Sequence, residues 1–228
     1  MDDRTDSRGE ARVRFNRRWF LVIGAGAAAA AFGLSRLIGG GGGSPSAASS
    51  PKGRVPDFSG NFPVLYVEHS VPAVTPEKWT IAVGGLVDQP LTVDHREWAA
   101  LPWVTYTKDF HCVEGWSVDR LGWGGVRVSD VLSLAKPKPE GKFVTFAAYG
   151  GTYSDDLTIE EALAGDTLLA DTLDGRPLPP EHGGPLRLVI PSQLGYKNVK
   201  WVTKLEVTAD RQPGYWERRG YHVEAPVT

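Results

Sequence analysis

The chain has 228 residues and a formal net charge of −2, but the charge is unevenly spread: residues 1–50 carry seven Arg, no Lys and four acidic residues, which leaves 51–228 at −5. The second part, roughly 178 residues, suffices for one domain with a real core, and its lack of a basic excess excludes a non-specific nucleic-acid binder. A single cysteine, Cys112, excludes an intrachain disulfide framework and any zinc site built on several thiolates.

In chain order, Arg17-Arg18-Trp19-Phe20-Leu21 precedes a nearly charge-free stretch from Val22 to Leu34 and then a Gly/Ser/Pro/Ala-rich run from Gly39 to Pro51. A charged region, an apolar region and small polar residues in that order make an export signal, and the paired arginines resemble a twin-arginine signal, read by a receptor that accepts folded proteins. Residues 19–38 have the length of a bilayer crossing. Two outcomes stay open: cleavage near Ser46-Ala47-Ala48, or retention of 19–38 as an anchor in the cytoplasmic membrane. Residues 1–50 are therefore expected to be signal or anchor plus linker, and 51–228 a single extracytoplasmic domain.

Within that domain, Trp79–Val83 alternates as a strand does and runs into Gly84-Gly85. Asp94 and Glu97 have the spacing of a capping box for a short helix ending near Leu101. Val104–Cys112 alternates again, and Val113–Ser117 is expected to be a loop. Ser129 is expected to cap a helix over Val131, Leu132 and Leu134, and Lys142–Ala148 to be a strand. Thr158 and Glu161 should open another short helix, stopped by Gly165. Leu186–Ile190 and Trp201–Val207 complete the strands. Many short strands, few short helices and proline-punctuated loops predict an α+β domain.

Cys112 closes an alternating strand beside a loop rich in glycine and tryptophan. On composition it can be a small buried hydrophobe, whereas its position at a strand–loop junction favours the edge of a pocket. His111, its sequence neighbour, points to the opposite face in an extended strand, so a cysteine hydrolase would need His69, His182 or His222 as base. A second cluster, Pro179-Pro180-Glu181-His182-Gly183-Gly184-Pro185-Leu186-Arg187, is followed by Gly195-Tyr196-Lys197-Asn198-Val199-Lys200-Trp201. Two glycine-bearing loops with bases close by can present N–H groups and cations to a phosphate, or can simply be surface loops. Neither is a P-loop or a dinucleotide fingerprint.

Together these segments resemble the molybdopterin-binding catalytic domain shared by sulfite oxidases and periplasmic protein-methionine-sulfoxide reductases. Cys112-Val113-Glu114-Gly115-Trp116-Ser117 is similar to the reductases' C-V-E-A-W-S loop around the metal-ligating cysteine. The stretch Leu178–Arg187 is similar to the family's pterin-phosphate segment. Asn198-Val199-Lys200-Trp201 and Tyr215-Trp216-Glu217-Arg218-Arg219-Gly220-Tyr221 follow the sulfite oxidase pattern, and the likeness extends from about Phe62 to Tyr221. The resemblance implies a single sulfite-oxidase-type molybdopterin-binding domain with a molybdenum–molybdopterin cofactor. It implies Cys112 as metal ligand and catalytic residue, Tyr221 as a catalytic hydroxyl, and His69, His182, Arg187, Asn198, Val199 and Lys200 as holders of the pterin and its phosphate, through side chains or backbone. A soft thiolate suits a redox metal already bound by a dithiolene.

The implied reaction is oxygen-atom transfer, most simply reduction of sulfoxide-like substrates, small or protein-bound; sulfite dehydrogenation is the alternative within the class. A haem-attachment motif needs two cysteines, so electrons are expected from a separate haem- or quinone-linked membrane partner. Sulfite oxidases place an arginine where this chain has Val67, and the reductase's threonine near the pterin is replaced by Ala148. Only seven residues follow Tyr221, without the sulfite oxidases' dimerisation domain, and a monomer is expected. A cysteine hydrolase and a cell-envelope binding domain that has lost the metal are the readings from other classes.

Overall fold

The computed structural model describes residues 62–227 and, before them, the backbone of Val13–Phe15. The expected signal, the twin arginines and the candidate anchor at 19–38 lie outside the described residues, apart from that three-residue strand. Among the described residues no helix is long and apolar enough to cross a membrane.

Among the described residues, two sheets and three short α-helices form the domain. The first sheet is built on β5 (Trp116–Arg127), the longest strand, which pairs antiparallel with β4 (Trp103–His111), β8 (Leu168–Leu173) and β1 (Val13–Phe15); β8 also pairs β10 (Arg187–Val189) and the two-residue β9 (Arg176–Pro177). The second runs β3 (Leu91–Val93), β2 (Ile81–Gly85), β11 (Val202–Thr208), β6 (Phe143–Ala148), β7 (Ser154–Thr158). Its β2–β11 pair is parallel and the others are antiparallel. The α+β expectation holds.

Local chemistry explains the helices. Asp94 accepts the N–H groups of Arg96 and Glu97 while Glu97 reaches back to the Asp94 N–H, opening α1 (His95–Ala99); Thr158 and Glu161 do the same for α3 (Ile159–Leu163). The middle helix, α2 (Val128–Ala135), departs from expectation: it begins at Val128 rather than at a Ser129 cap, and its N-cap Arg127 makes no side-chain cap. Packing supplies what the cap does not. Val128, Val131, Leu132 and Ala135 recur at helical spacing and all are buried, each of the larger ones contributing about 1.5–3 kcal/mol on burial. They join the larger core, which includes Phe146, Leu188, Trp201 and Leu205. A second cluster, with Phe110, Trp116, Trp123 and Leu173, lies against the first sheet, and Cys112 packs on its edge.

The segment after Cys112, read from sequence as a loop, becomes β5 from Trp116 onward. Its glycines mask the strand pattern, yet the packing requires them. A Cβ on Gly125 would lie 2.1 Å from the Leu169 carbonyl oxygen, and one on Gly124 would lie 2.3 Å from Thr172 Oγ1 and 2.4 Å from the Trp103 ring.

Candidate active site

The connection between β4 and β5 is a tight turn that puts Cys112 at its first position. The Gly115 N–H donates to the Cys112 carbonyl (3.0 Å) and the Cys112 N–H donates to the Trp116 carbonyl (2.9 Å). Gly115 closes the turn at φ +86°, a left-handed conformation that glycine adopts without strain. This geometry holds the thiol at the wall of a cavity of about 380 Å³. Burial pushes the Cys112 thiol up to about 11, against opposing backbone N–H groups at Glu114 and Val113. His111 is turned away, its Nδ1 2.8 Å from Ser117 Oγ. A thiol so hard to ionise is not an activated nucleophile, which argues against the cysteine-hydrolase reading, and His111 is not placed to act on it.

The same cavity has a basic lining. Arg187, on β10, is 2 % exposed; one of its terminal N–H groups donates to the His182 carbonyl (2.8 Å), and the guanidinium lies 5.4 and 5.3 Å from the Phe110 and Trp123 ring centroids. Its Nε–H is buried without an acceptor, and among the described residues no carboxylate pairs with it. Burial draws its pKa down to about 9. Lys200 donates to the Glu181 and Leu65 carbonyls (2.6 and 2.8 Å), and burial, then Arg187, holds its pKa well below the usual ammonium range. His182 stacks on Phe62 (4.4 Å between centroids), and burial, reinforced by Arg187 and Lys200, depresses it to about 3, so it is neutral. Asn198 completes this wall: its Oδ1 accepts the Ile190 N–H and its Nδ2 donates to Leu194.

Close packing shapes the floor. A Cβ on Gly195 would lie 2.5 Å from the Phe110 ring, and one on Gly183, at φ +107°, 2.9 Å from Arg187 Cβ. Behind it, the buried Lys197 Nζ stands 2.5 Å from both Asp155 and Glu217. Asp155, Asp156 and Glu217 present oxygens within 4.8 Å of one another, as a cation site would. The ammonium of Lys197 already fills that role, and Arg211 pairs with Asp156 at 3.1 Å. The cluster is structural: it anchors the Gly195–Lys200 loop, while Tyr153 donates to the Tyr196 carbonyl.

Of the residues expected from sequence, Cys112, Tyr221, His182, Arg187, Asn198 and Lys200 all line the one cavity. His69 does not: its side chain is exposed, and the wall from that segment is Leu65–Glu68 instead. The Val199 side chain lies in the core, with its carbonyl accepting the Leu188 N–H (2.8 Å). Arg120 and Arg218 stay off the cavity wall. Sequence reasoning assigned no role to Glu68, Glu114, Tyr153, Tyr196 or Trp216, which also line it. Glu114, Tyr196 and Trp216 stand inside the quoted motifs, so their segments carried a signal. Glu68 and Tyr153 reach the cavity only through tertiary packing.

Comparison with known proteins gives this arrangement its context. Residues 68–216 match the family of the oxidoreductase molybdopterin-binding domain. The chain is 38% identical over 178 residues to an uncharacterized oxidoreductase, YuiH, of Bacillus subtilis, covering 77% of this chain and 89% of that one. It is 35% identical to a putative protein-methionine-sulfoxide reductase subunit, YedZ1, of Azospira oryzae (71% of this chain, 61% of that one). With the protein-methionine-sulfoxide reductase catalytic subunit MsrP of Campylobacter jejuni it shares 30% identity (62% and 52%). Among solved structures, the sulfane dehydrogenase SoxCD of Paracoccus pantotrophus superposes with a TM-score of 0.57 at 25% identity, over 62% of this chain and 41% of that one. The chain thus spans nearly all of the Bacillus relative but between two fifths and about three fifths of the others. A thiol and an unpaired buried guanidinium facing one cavity, within a match that covers most of the folded domain, place this chain in the molybdopterin-binding oxidoreductase family, as a molybdopterin-dependent enzyme.

Proposed function

We propose that this chain is an exported molybdenum–molybdopterin oxotransferase that reduces sulfoxide-like substrates with electrons from a separate membrane partner. The observation that carries the reading is that Cys112 and the buried Arg187 line one cavity. A buried guanidinium without a carboxylate is costly unless an anion joins it. Its unsatisfied Nε–H, with Lys200 beside it, fits the phosphate of the pterin, while the neutral His182 and Asn198 suit the uncharged ring system. The residues present therefore fit the group.

When bound, the molybdenum–pterin group supplies the oxygen-atom exchange and the two-electron capacity. The chain's own residues do the rest. Cys112 offers a soft sulfur, and metal binding would release the proton that burial holds on the thiol. Tyr221 presents a hydroxyl that can donate to the S=O oxygen. Phe62, Phe110 and Trp116 keep water from the thiol side. The net reaction turns a sulfoxide, two electrons and two protons into a sulfide and one water, so it needs an electron donor outside the chain. That donor is read as a haem- or quinone-linked membrane subunit, and the MsrP relative is itself called a catalytic subunit. Sulfite, a dianion, would need a guanidinium where Val67 lies, and Arg120 and Arg218 do not take its place.

The test is elemental and pterin analysis of protein from a molybdenum-competent host, followed by assays in both directions. Stoichiometric molybdenum, reduction of neutral sulfoxides with a reduced viologen, and sulfite oxidation well below about 10⁴ M⁻¹s⁻¹ in kcat/KM are expected. In Cys112→Ser, turnover should fall to background and the metal's visible spectrum should change, while pterin is retained. Protein without molybdenum, or a Ser variant with wild-type turnover, would sink the assignment.

A further inference from the structure

Two carboxylates share the cavity with Arg187 and Lys200. Glu114 lies on its wall, largely exposed, with one carboxylate oxygen taking the Trp116 indole N–H (3.1 Å); among the described residues no Lys or Arg pairs with it. A second carboxylate, Glu68, lines the same cavity and is fixed by the Tyr153 N–H (2.9 Å). Around Glu114 the wall is aromatic. The Trp216 and Tyr221 ring centroids are 5.0 Å apart with planes at 40°, and Tyr196 stands edge-on to Tyr221 at 5.3 Å. Among the described bases, Arg187 and Lys200 line the cavity and would have their charge taken up by a pterin phosphate, and the Arg218 guanidinium donates to the Pro213 carbonyl outside the cavity.

A carboxylate beside electron-rich ring faces is the constellation that recognises ammonium and other organic cations, because the ring quadrupole and the fixed negative charge attract the same group. It also repels anions, and Val67 offers nothing to compensate. Building on the oxotransferase reading above, we infer that the mouth selects oxo substrates bearing a cationic group, held by the Glu114 carboxylate and the rings of Trp216 and Tyr221. Glu114 is on this account a specificity residue: it handles the part of the substrate that does not react, while Tyr221 and Cys112 face the part that does. Substrates with a free or alkylated amine near the S=O or N–O group are the class that fits.

The test uses holoenzyme and three aryl methyl sulfoxides that differ only at the para position: carboxylate, hydrogen and ammoniomethyl. At low ionic strength kcat/KM should rank ammoniomethyl over carboxylate by about tenfold, a difference of about 1.4 kcal/mol, and the gap should narrow in about 0.5 M salt as the field is screened. Glu114→Gln should bring the ratio close to unity, and Trp216→Leu should reduce the advantage of ammoniomethyl over hydrogen. Each is a ratio within one protein, so a general loss of activity does not confound it. Quenching of tryptophan fluorescence by the three corresponding sulfides gives the same ranking without turnover. A flat or inverted ranking in wild type, or an unchanged ratio in Glu114→Gln, overturns the inference while leaving the oxotransferase reading intact. Failure to reduce any sulfoxide, with the sulfides still ranked by charge and levelled by Glu114→Gln, overturns the reaction and leaves the charge selection standing.

Discussion

His182 shows how a single side chain carries the consequences of burial. It is 7 % exposed, pressed on Phe62, and flanked by the charges of Arg187 and Lys200. Burial first, then those two cations, lowers its pKa to about 3, against about 6.5 in an unfolded chain. Above pH 6.5 the ring is neutral in both states and no penalty exists. As pH falls, the unfolded chain gains a proton that the native ring refuses until about pH 3, so the contribution of a neutral His182 is lost progressively through that window. For the cofactor-free chain, urea midpoints measured from about pH 7 down to about pH 4 should fall more steeply in wild type than in His182→Gln, by about 2 kcal/mol over the range after allowance for the group's partial solvation. Parallel slopes would mean that the native imidazole accepts the proton. Neutral imidazole is also what the proposed role requires, since it stacks beside an uncharged ring while the two cations meet the phosphate.

At the scale of elements, the sequence was most legible where local chemistry decides and least where neighbours do. Asp94/Glu97 and Thr158/Glu161 are complete capping boxes, and both helices start where those pairs place them. β5 was hidden because Gly122, Gly124 and Gly125 interrupt any alternating pattern. The reason for those glycines is the strand lying against them: β8, itself not anticipated from the sequence. The site divides in the same way. Cys112, Arg187 and Lys200 sit in motifs that a family resemblance exposes, whereas Glu68 and Tyr153 join the cavity from the segment before β2 and from the approach to β7, a convergence that no spacing in the chain encodes. Gly125→Ala measures the cost directly. Its Cβ would meet the Leu169 carbonyl oxygen at 2.1 Å and the Ala170 Cα at 2.7 Å, both backbone, so β8 must move; a loss of about 2–3 kcal/mol is expected. Gly165→Ala, with nothing within 4 Å and no left-handed φ, should stay within about 0.5 kcal/mol. Equal losses at the two sites would show that backbone entropy rather than strand contact governs β5.

For the whole molecule, the proposed pterin site sets the order of events expected in making the enzyme. Arg187, His182 and Asn198 are buried, and the pterin site proposed for them is lined by residues of β10, of the turn between β4 and β5 and of the loop after β10. A group held that way would be installed as the domain folds, not threaded in afterwards through a membrane in an extended chain. Export of the assembled protein therefore suits a receptor that accepts folded cargo, and Arg17-Arg18 followed by Phe20-Leu21 has the form such a receptor reads. A guanidinium pair presents planar, multidentate donors that two ammonium groups do not reproduce, although the charge is the same. Replacing Arg17 and Arg18 together with lysines should leave cofactor-loaded protein in the cytoplasm, with pterin content and sulfoxide reduction in lysates unchanged and the extracytoplasmic fraction reduced at least tenfold. If export continues at the wild-type level, the segment is a general secretory signal or a plain anchor. Insertion of the cofactor would then have to follow translocation, and molybdenum loading should depend on a supply outside the cytoplasm.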